Sequence, residues 1–372
     1  MYNIEDIRNT IIQGNALEVL KNIPDESIDC IATSPPYYGL RDYQVDGQIG
    51  LENSFNEYLN KLLEITAELK RVLKKTGQLW WNHGDCYGGT STTGRNDLNR
   101  IWKTAKGKGI DAKINKRMGT ISKCLLMIPE RLAIRMIDEQ GWILRNKVKW
   151  CKQVLIKKEN RTIGSVMPAS VKDRFNESGE EFYFFVKSKK YYSNLDAVRI
   201  PNQVLGVTEH RPDGFFRSRE YGYDSKYLKD YSPLSKQSGH RFNLRVEEKI
   251  KKIEGQAEKS TLYKGKNIPT IWQINQESHN FRKELSIDIE HFAMFPSSLL
   301  EIPILFGCPP DGIILDPFMG AGTVAVVAKK LGRDYIGIEL NPEYIKIAEK
   351  RIAGTLVNET LFDTEVIYEQ RF

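Results

Sequence analysis

Cysteine is scarce and scattered in this chain of 372 residues: Cys30, Cys86, Cys124, Cys151 and Cys308, with no Cys-x-x-Cys pair. An odd, dispersed set excludes a disulfide scaffold and offers no zinc or redox motif, so packed thiols are expected and no metal site is assigned. Long apolar runs are missing as well; nothing approaches the ~20 residues that a helix needs to cross a bilayer. The opening Met1-Tyr2-Asn3-Ile4-Glu5-Asp6 lacks the basic and apolar regions of a secretory signal, so a cytoplasmic protein with no membrane partner is expected. Neither Gly-x-Gly-x-x-Gly nor Gly-Lys-Ser/Thr occurs, which argues against a pyrophosphate-bearing cofactor such as a nicotinamide dinucleotide. No repeat of solenoid period is present.

What is there is ordinary globular composition, 40% hydrophobic and 28% charged. At 42.8 kDa the chain exceeds the size of a single core, so one large α/β domain with an insertion, or two domains, is expected. The net charge of +7 is unevenly spread. Residues 1–98 carry 9 Lys and Arg against 14 Asp and Glu, whereas residues 99–175 carry 19 against 6. Residues 291–372 are acidic again, with 7 against 11. Two acidic ends flanking a basic middle point to a polyanionic partner.

Short apolar runs alternate with amphipathic segments, which predicts a mainly parallel α/β sheet. Strands are expected over Thr10–Gly14, Ile28–Thr33 and Gln78–Asn82. A helix is expected over Phe55–Lys74, where Tyr58, Leu62, Ile65, Leu69 and Leu73 recur at helical spacing. Leu125–Glu139 reads as an amphipathic helix, and Trp142–Trp150 with Glu181–Lys187 as a closing hairpin. A helix, strand, helix, strand, helix series closes the chain between Pro296 and Ile352. Residues 88–119 break the pattern as a polar, basic loop containing Arg95, Arg100, Lys103, Lys106, Lys108, Lys113, Lys116 and Arg117. From about Ala197 to Asn280 the alternation fails again. There Phe215, Phe216, Tyr221, Tyr223, Tyr227 and Tyr231 interleave with Arg211, Arg217, Arg219, Lys226 and Lys229, which suits a nucleic-acid-facing insert as well as a small satellite core.

Asp316-Pro317-Phe318-Met319-Gly320-Ala321-Gly322-Thr323 follows a predicted strand and opens a predicted helix, where open α/β sheets bind ligands. Glycines admit a ligand close to the backbone, and the helix start offers unpaired N–H groups. Glu339, at the end of the next strand, is placed to accept hydrogen bonds from the two hydroxyls of a ribose. S-adenosylmethionine, an adenosine carrying a charged amino acid instead of phosphates, fits this description. Ser34-Pro35-Pro36-Tyr37 ends another strand, and its two prolines fix an extended, rigid turn. The Ser34 hydroxyl and Pro35 carbonyl can accept the two hydrogens of an exocyclic amine and aim its lone pair at a methyl donor, while Tyr37 can stack on an extruded base.

These two motifs resemble those of the DNA amino-methyltransferases, which act on cytosine N4 or adenine N6. The order, Ser-Pro-Pro-Tyr first and Phe-x-Gly-x-Gly-Thr last with a target-recognition region between, is similar to the permuted beta group of that family. Gly14-Asn15-Ala16, Gly77–Asp85 and Phe295-Pro296 also match, and the resemblance covers about 1–196 and 285–355. It implies a Rossmann-like S-adenosylmethionine-dependent methyltransferase sheet with circularly permuted motif order and an inserted target-recognition subdomain. The implied division is a catalytic half 1–196, an insert 197–284, a cofactor-binding half 285–355 and a tail 356–372. Ser34, Pro35, Pro36 and Tyr37 would be catalytic. Asn15 would lie by the adenine, Glu339 by the ribose, and Asp316, Phe318, Gly320, Gly322 and Thr323 by the methionine end, with Phe295 and Pro296 lining the pocket. Asn15 departs from the usual aspartate.

Serine at the first position of the tetrapeptide resembles the cytosine-N4 enzymes, with adenine N6 as the rival target. Attack through cytosine C5 would need a thiolate from a Pro-Cys dipeptide, which the chain lacks. The implied partner is double-stranded DNA; a homodimer and a cognate restriction endonuclease are further expectations of the same resemblance. A non-catalytic DNA-binding subunit is the alternative from another class, against which the intact tetrapeptide and Glu339 argue. His83 is expected to be structural, Asp85 is a candidate for base contact, and Trp80, Trp81, Trp142 and Trp150 are expected in the core.

Overall fold

The computed structural model describes residues 1–40, 43, 45–89, 120–166, 171–200, 266–277 and 294–356. The basic loop beyond residue 89, the aromatic, arginine and lysine residues named above for the insert (211–231) and the tail from residue 357 lie outside the described residues. The chain divides into two compact units, Met1–Ala197 with Pro269–Phe372, and Val198–Ile268. In the second unit the described ends meet: Ile200 and Lys266 exchange backbone hydrogen bonds of 2.9 and 2.7 Å, and the Arg199 guanidinium donates to Asn267 Oδ1 at 2.6 Å.

In the first unit, β1 (Thr10–Gln13), β2 (Ile28–Thr33), β3 (Leu73–His83), β4 (Ile143–Cys151), β7 (Gly179–Val186), β8 (Ile271–Gln273), β9 (Ile313–Asp316) and β10 (Asp334–Glu339) form one sheet in the order β1-β10-β9-β2-β3-β7-β4-β8. From β1 to β3 every pairing is parallel. β9 is buried along its whole length and β2 at all but one position, as expected of strands covered on both faces. β7 then runs antiparallel to β3 and to β4. The expected pairing of 142–150 with 181–187 is therefore present, but its strands are not consecutive. A two-stranded ribbon, β5 (Gln153–Ile156) with β6 (Arg161–Gly164), intervenes and was not foreseen, because its largely exposed strands carry little apolar alternation.

The helix Phe55–Val72 shows how the pattern becomes packing. Ser54 caps its start by accepting from the Glu57 N–H at 3.2 Å, and Tyr58, Leu59, Leu62, Ile65 and Leu69 are buried on one face. That face packs against the helices Ile128–Gln140 and Ala16–Leu20. Across β3 and β7 the residues alternate. Trp80 stacks on Phe184 with centroids 4.6 Å apart on one face, while Trp81, Tyr183 and Phe185 belong to the core cluster on the other. All four tryptophans expected in the core are buried.

Cysteine burial is mixed. Cys30 and Cys308 are buried, and burial pushes both thiols far above the ordinary thiol range. Cys124 is exposed, because it lies in the turn before the helix Ile128–Gln140, so packed thiols hold for only part of the set.

The topology fixes where a ligand can sit. From β9 the chain proceeds to β10 on one side; from β2 it proceeds to β3 on the other. The crevice beyond the carboxyl ends of β2 and β9 is thus the switch point of the sheet. Glu339, Asp316, Thr33 and His83 end their strands at this edge, and the antiparallel β7 begins there with Gly179 and Glu180.

Candidate active site

A cleft of about 340 Å³ opens at this edge. Asn15, Ser34, Pro35, Pro36, Tyr37, Phe295, Asp316, Phe318, Gly320, Thr323 and Glu339 all line it, so residues more than 300 positions apart in sequence converge on one cavity. Pro296 and Gly322 are not on its wall. Pro296 is buried and starts the helix Ser297–Gly307. Gly322 starts the helix Thr323–Lys330 with φ of +78°, and a Cβ there would come 2.7 Å from the Ala348 Cβ, so its bareness serves helix packing. Both sit at helix starts beside the cleft rather than on its wall.

Two carboxylates organise the late half of the cleft. Glu339 accepts the Gly320 N–H at 2.7 Å with one oxygen and the Asn341 N–H at 2.8 Å with the other, which ties the glycine loop to the end of β10. Burial raises its pKa and those backbone donors oppose the rise. Asp316 accepts from the Thr33 hydroxyl at 2.6 Å and from the Phe318 N–H at 3.0 Å. Burial outweighs these bonds and pushes its pKa up to about 7. Asn15 caps the helix Ala16–Leu20, accepting from the Leu17 N–H at 3.0 Å and donating to the Gly47 carbonyl at 3.3 Å.

The Ser-Pro-Pro-Tyr turn is held from behind and from the side. Tyr58 gives its single hydroxyl hydrogen to the Pro36 carbonyl at 2.8 Å. The His83 Nε2 atom, 2.9 Å from the same hydroxyl, must then donate, and Nδ1 accepts from the Trp81 indole at 3.4 Å. This places His83 as a neutral, Nε2-protonated ring, in keeping with burial lowering its pKa to about 3. His83 is structural, as its sequence setting suggested. On the cleft side, the Ser34 hydroxyl donates to the Tyr37 hydroxyl at 3.2 Å, and Tyr37 lies 2.7 Å from Glu180 Oε2 and 3.0 Å from Asn82 Oδ1. Lys152 contacts the other Glu180 oxygen.

Asn82, Lys152 and Glu180 also line the cleft and were not anticipated. Asn82 alone had a sequence signal, as the last residue expected in its strand. Asp85 is corrected: its carboxylate accepts the N–H groups of Cys86, Met127 and Ile128 at 2.8, 2.8 and 3.1 Å, so it is spent on starting the helix Ile128–Gln140. Among the described residues no cluster of three or more His, Cys, Asp or Glu is placed to hold a metal, and no helix is long and apolar enough to cross a membrane.

The sequence profile of the DNA methylase family matches residues 28–350, which spans both motifs and nearly the whole sheet. The chain belongs to the DNA methylase family. This methylase is 34% identical over 349 residues to the type II methyltransferase M.Cfr9I of Citrobacter freundii, covering 94% of this chain and 89% of that relative. It is 31% identical over 344 residues to the type II methyltransferase M.SmaI of Serratia marcescens, covering 92% and 90%. Its fold matches the solved PvuII DNA methyltransferase (cytosine-N4-specific) with a TM-score of 0.57 and 20% identity, covering 96% of this chain and 91% of that one. It is thus a DNA methyltransferase of the N4/N6 group. The family's cofactor is S-adenosylmethionine, and the cleft suits it: Glu339 offers a carboxylate for ribose hydroxyls, and Asp316 is a buried acid that a cation would ionise.

Proposed function

We propose that the protein methylates the exocyclic N4 amine of a cytosine flipped out of duplex DNA. The observation that carries this reading is the Ser34 geometry: its hydrogen is directed to Tyr37, so its oxygen lone pairs are available to a substrate amine in the cleft. Pro35 and Pro36 stiffen the turn, Tyr58 occupies the Pro36 carbonyl, and the Pro35 carbonyl, on the cleft wall with Ser34, is the second acceptor we assign. Two acceptors at the two amino hydrogens pull the nitrogen toward tetrahedral geometry and direct its lone pair. When bound, S-adenosylmethionine supplies a methyl group on a sulfonium. Asp316, with Phe318 and the Gly320 loop, would hold its amino-acid end, Glu339 its ribose, and Asn15 and Phe295 its adenine side. The ring of Tyr37, tilted against His83 with centroids 5.4 Å apart, forms part of the wall on which a base can rest.

Serine as the first residue of the tetrapeptide favours cytosine N4; adenine N6 is the second reading, since the same two acceptors serve its amine. The setting we propose is a cytoplasmic restriction-modification system, as the type II relatives suggest, with a cognate endonuclease and with homodimer formation in solution. Target recognition is assigned to the insert 197–284 and closure over DNA to the basic loop 88–119. The deciding experiment incubates the protein with labelled S-adenosylmethionine and mixed-sequence duplex DNA, digests to nucleosides and identifies the product by mass. N4-methylcytosine is expected. N6-methyladenine selects the second reading, and no labelled nucleoside from any sequence overturns both.

A further inference from the structure

We propose that Ser34, Tyr37 and Glu180 form a one-way proton exit from the substrate amine, in which Glu180 is the acceptor. The inference rests on the amine-methylation reading above and adds a residue that neither motif contains. The hydrogen bonds point in a single direction. Ser34 donates to the Tyr37 oxygen at 3.2 Å, and Tyr37, with one hydrogen to give, lies 2.7 Å from Glu180 Oε2 and farther, 3.0 Å, from Asn82 Oδ1. A phenol donates more strongly to a carboxylate than to an amide, so the shorter bond takes the hydrogen. Asn82 is fixed as the bystander, because its amide nitrogen donates to the Glu181 carbonyl at 3.2 Å. Lys152 ties down the other Glu180 oxygen, and its ammonium also sits 4.6 Å from the Trp150 ring centre. Glu180 is therefore held at both oxygens. It lines the same cleft as Ser34, and its side chain keeps 16% of its exposure, enough to return a proton to water.

The balance of the step requires such an exit. The amine lone pair forms the new N–C bond while the C–S bond breaks and sulfur keeps its electron pair. The nitrogen is left with a positive charge and one proton too many. That proton passes to the Ser34 oxygen as Ser34 gives its own to Tyr37 and Tyr37 gives its own to Glu180. Glu180 becomes a carboxylic acid and then releases the proton to solvent, while the three groups recover their starting hydrogens.

The test is single-turnover methyl transfer to mixed-sequence duplex DNA, with cofactor and duplex affinities measured alongside. Tyr37→Phe and Glu180→Gln are each expected to slow transfer about 100-fold or more, within the usual contribution of a proton-transfer group, with both affinities within about twofold of wild type. Glu180→Ala is expected to recover at least about tenfold in rate when formate is added, and not with formamide, because only the carboxylate can take the proton. Wild-type rates for Glu180→Gln, or slowing that formate does not relieve, overturn the exit. If Ser34→Ala is slow while Tyr37→Phe and Glu180→Gln are fast, the exit alone fails; if Ser34→Ala is fast, the amine-methylation reading fails with it.

Discussion

The buried carboxylate of Asp316 leads to a quantitative prediction about cofactor affinity. Its pKa stands near 7, raised from 3.8 mainly by burial, with the nearby Glu339 charge adding to the rise and the Thr33 and Phe318 donors opposing it. The sign follows directly. In the free protein a raised carboxylate favours the fold at low pH, and that contribution is lost as pH rises through 7. A cation bound beside Asp316 reverses the preference, because it favours the carboxylate form. Affinity for S-adenosylmethionine should therefore weaken as pH falls through 7. With a midpoint of 7 the carboxylate is about nine-tenths ionised at pH 8 and about one-tenth at pH 6, so the dissociation constant rises about tenfold, or about 1.4 kcal/mol. Isothermal titration at pH 6, 7 and 8 reads this directly. Asp316→Asn should bind about as weakly at pH 8 as the wild type does at pH 6 and should show no slope. A flat wild-type profile, or an unchanged slope in Asp316→Asn, would refute the placement of a cationic group beside this carboxylate.

Two further predictions concern residues that hold the site without entering it. His83 is buried neutral with its pKa near 3, against 6.5 in an unfolded chain, so its contribution to stability is complete above 6.5 and is lost as pH falls toward 3. Urea unfolding at pH 7.5 and pH 5 should show about 2 kcal/mol of pH-dependent loss that His83→Phe lacks; equal pH dependence in the two proteins would contradict the buried neutral ring. Asp85→Ala strips three backbone N–H groups of their acceptor and should cost about 1–3 kcal/mol of stability while leaving the methylation rate of the folded protein unchanged. A lost rate at full stability would instead restore Asp85 as a base contact.

What was legible in the sequence was local. Ser34–Tyr37 and Asp316–Thr323 are consecutive residues at strand ends, so reading a strand into a turn already places them at the binding edge of a parallel sheet. Glu339 needed only the next strand. Glu180 depends instead on register: β7 pairs Glu181 with His83 on one side and Glu180 with Trp150 on the other. A shift of one residue would turn Glu180 to the opposite face of the sheet, and nothing in the string Gly179-Glu180-Glu181-Phe182 specifies which glutamate faces the cleft. Asp85 was misread for a related reason. An acid just past a strand at the ligand edge has the same local signature whether it meets a base or the start of a helix 42 residues later. Pro296 and Gly322 show the converse: motif membership was correct as pattern, yet both begin helices beside the cleft rather than on its wall.

The charge division that first suggested a polyanionic partner is sharpened by the ion pairs. Within the basic stretch 99–175, the lysines of β4 and its extension are already matched. Lys147 pairs with Glu130 at 2.6 Å, Lys149 with Glu181 at 2.7 Å, and Lys152 with Glu180. Lys123, Arg135 and Arg161 likewise pair with Asp173, Glu139 and Glu159. These partners include four of the six acidic residues of the stretch, and β7 supplies two more. The lysines of β4 and its extension are thus matched by carboxylates that position them, and under the proton-exit proposal Lys152 serves Glu180 rather than a phosphate. Residues 99–119 hold seven basic residues and one acidic one and lie outside the described residues. The surplus positive charge of the middle is densest there in sequence, so our proposal assigns phosphate neutralisation to that segment rather than to the strands that carry the site.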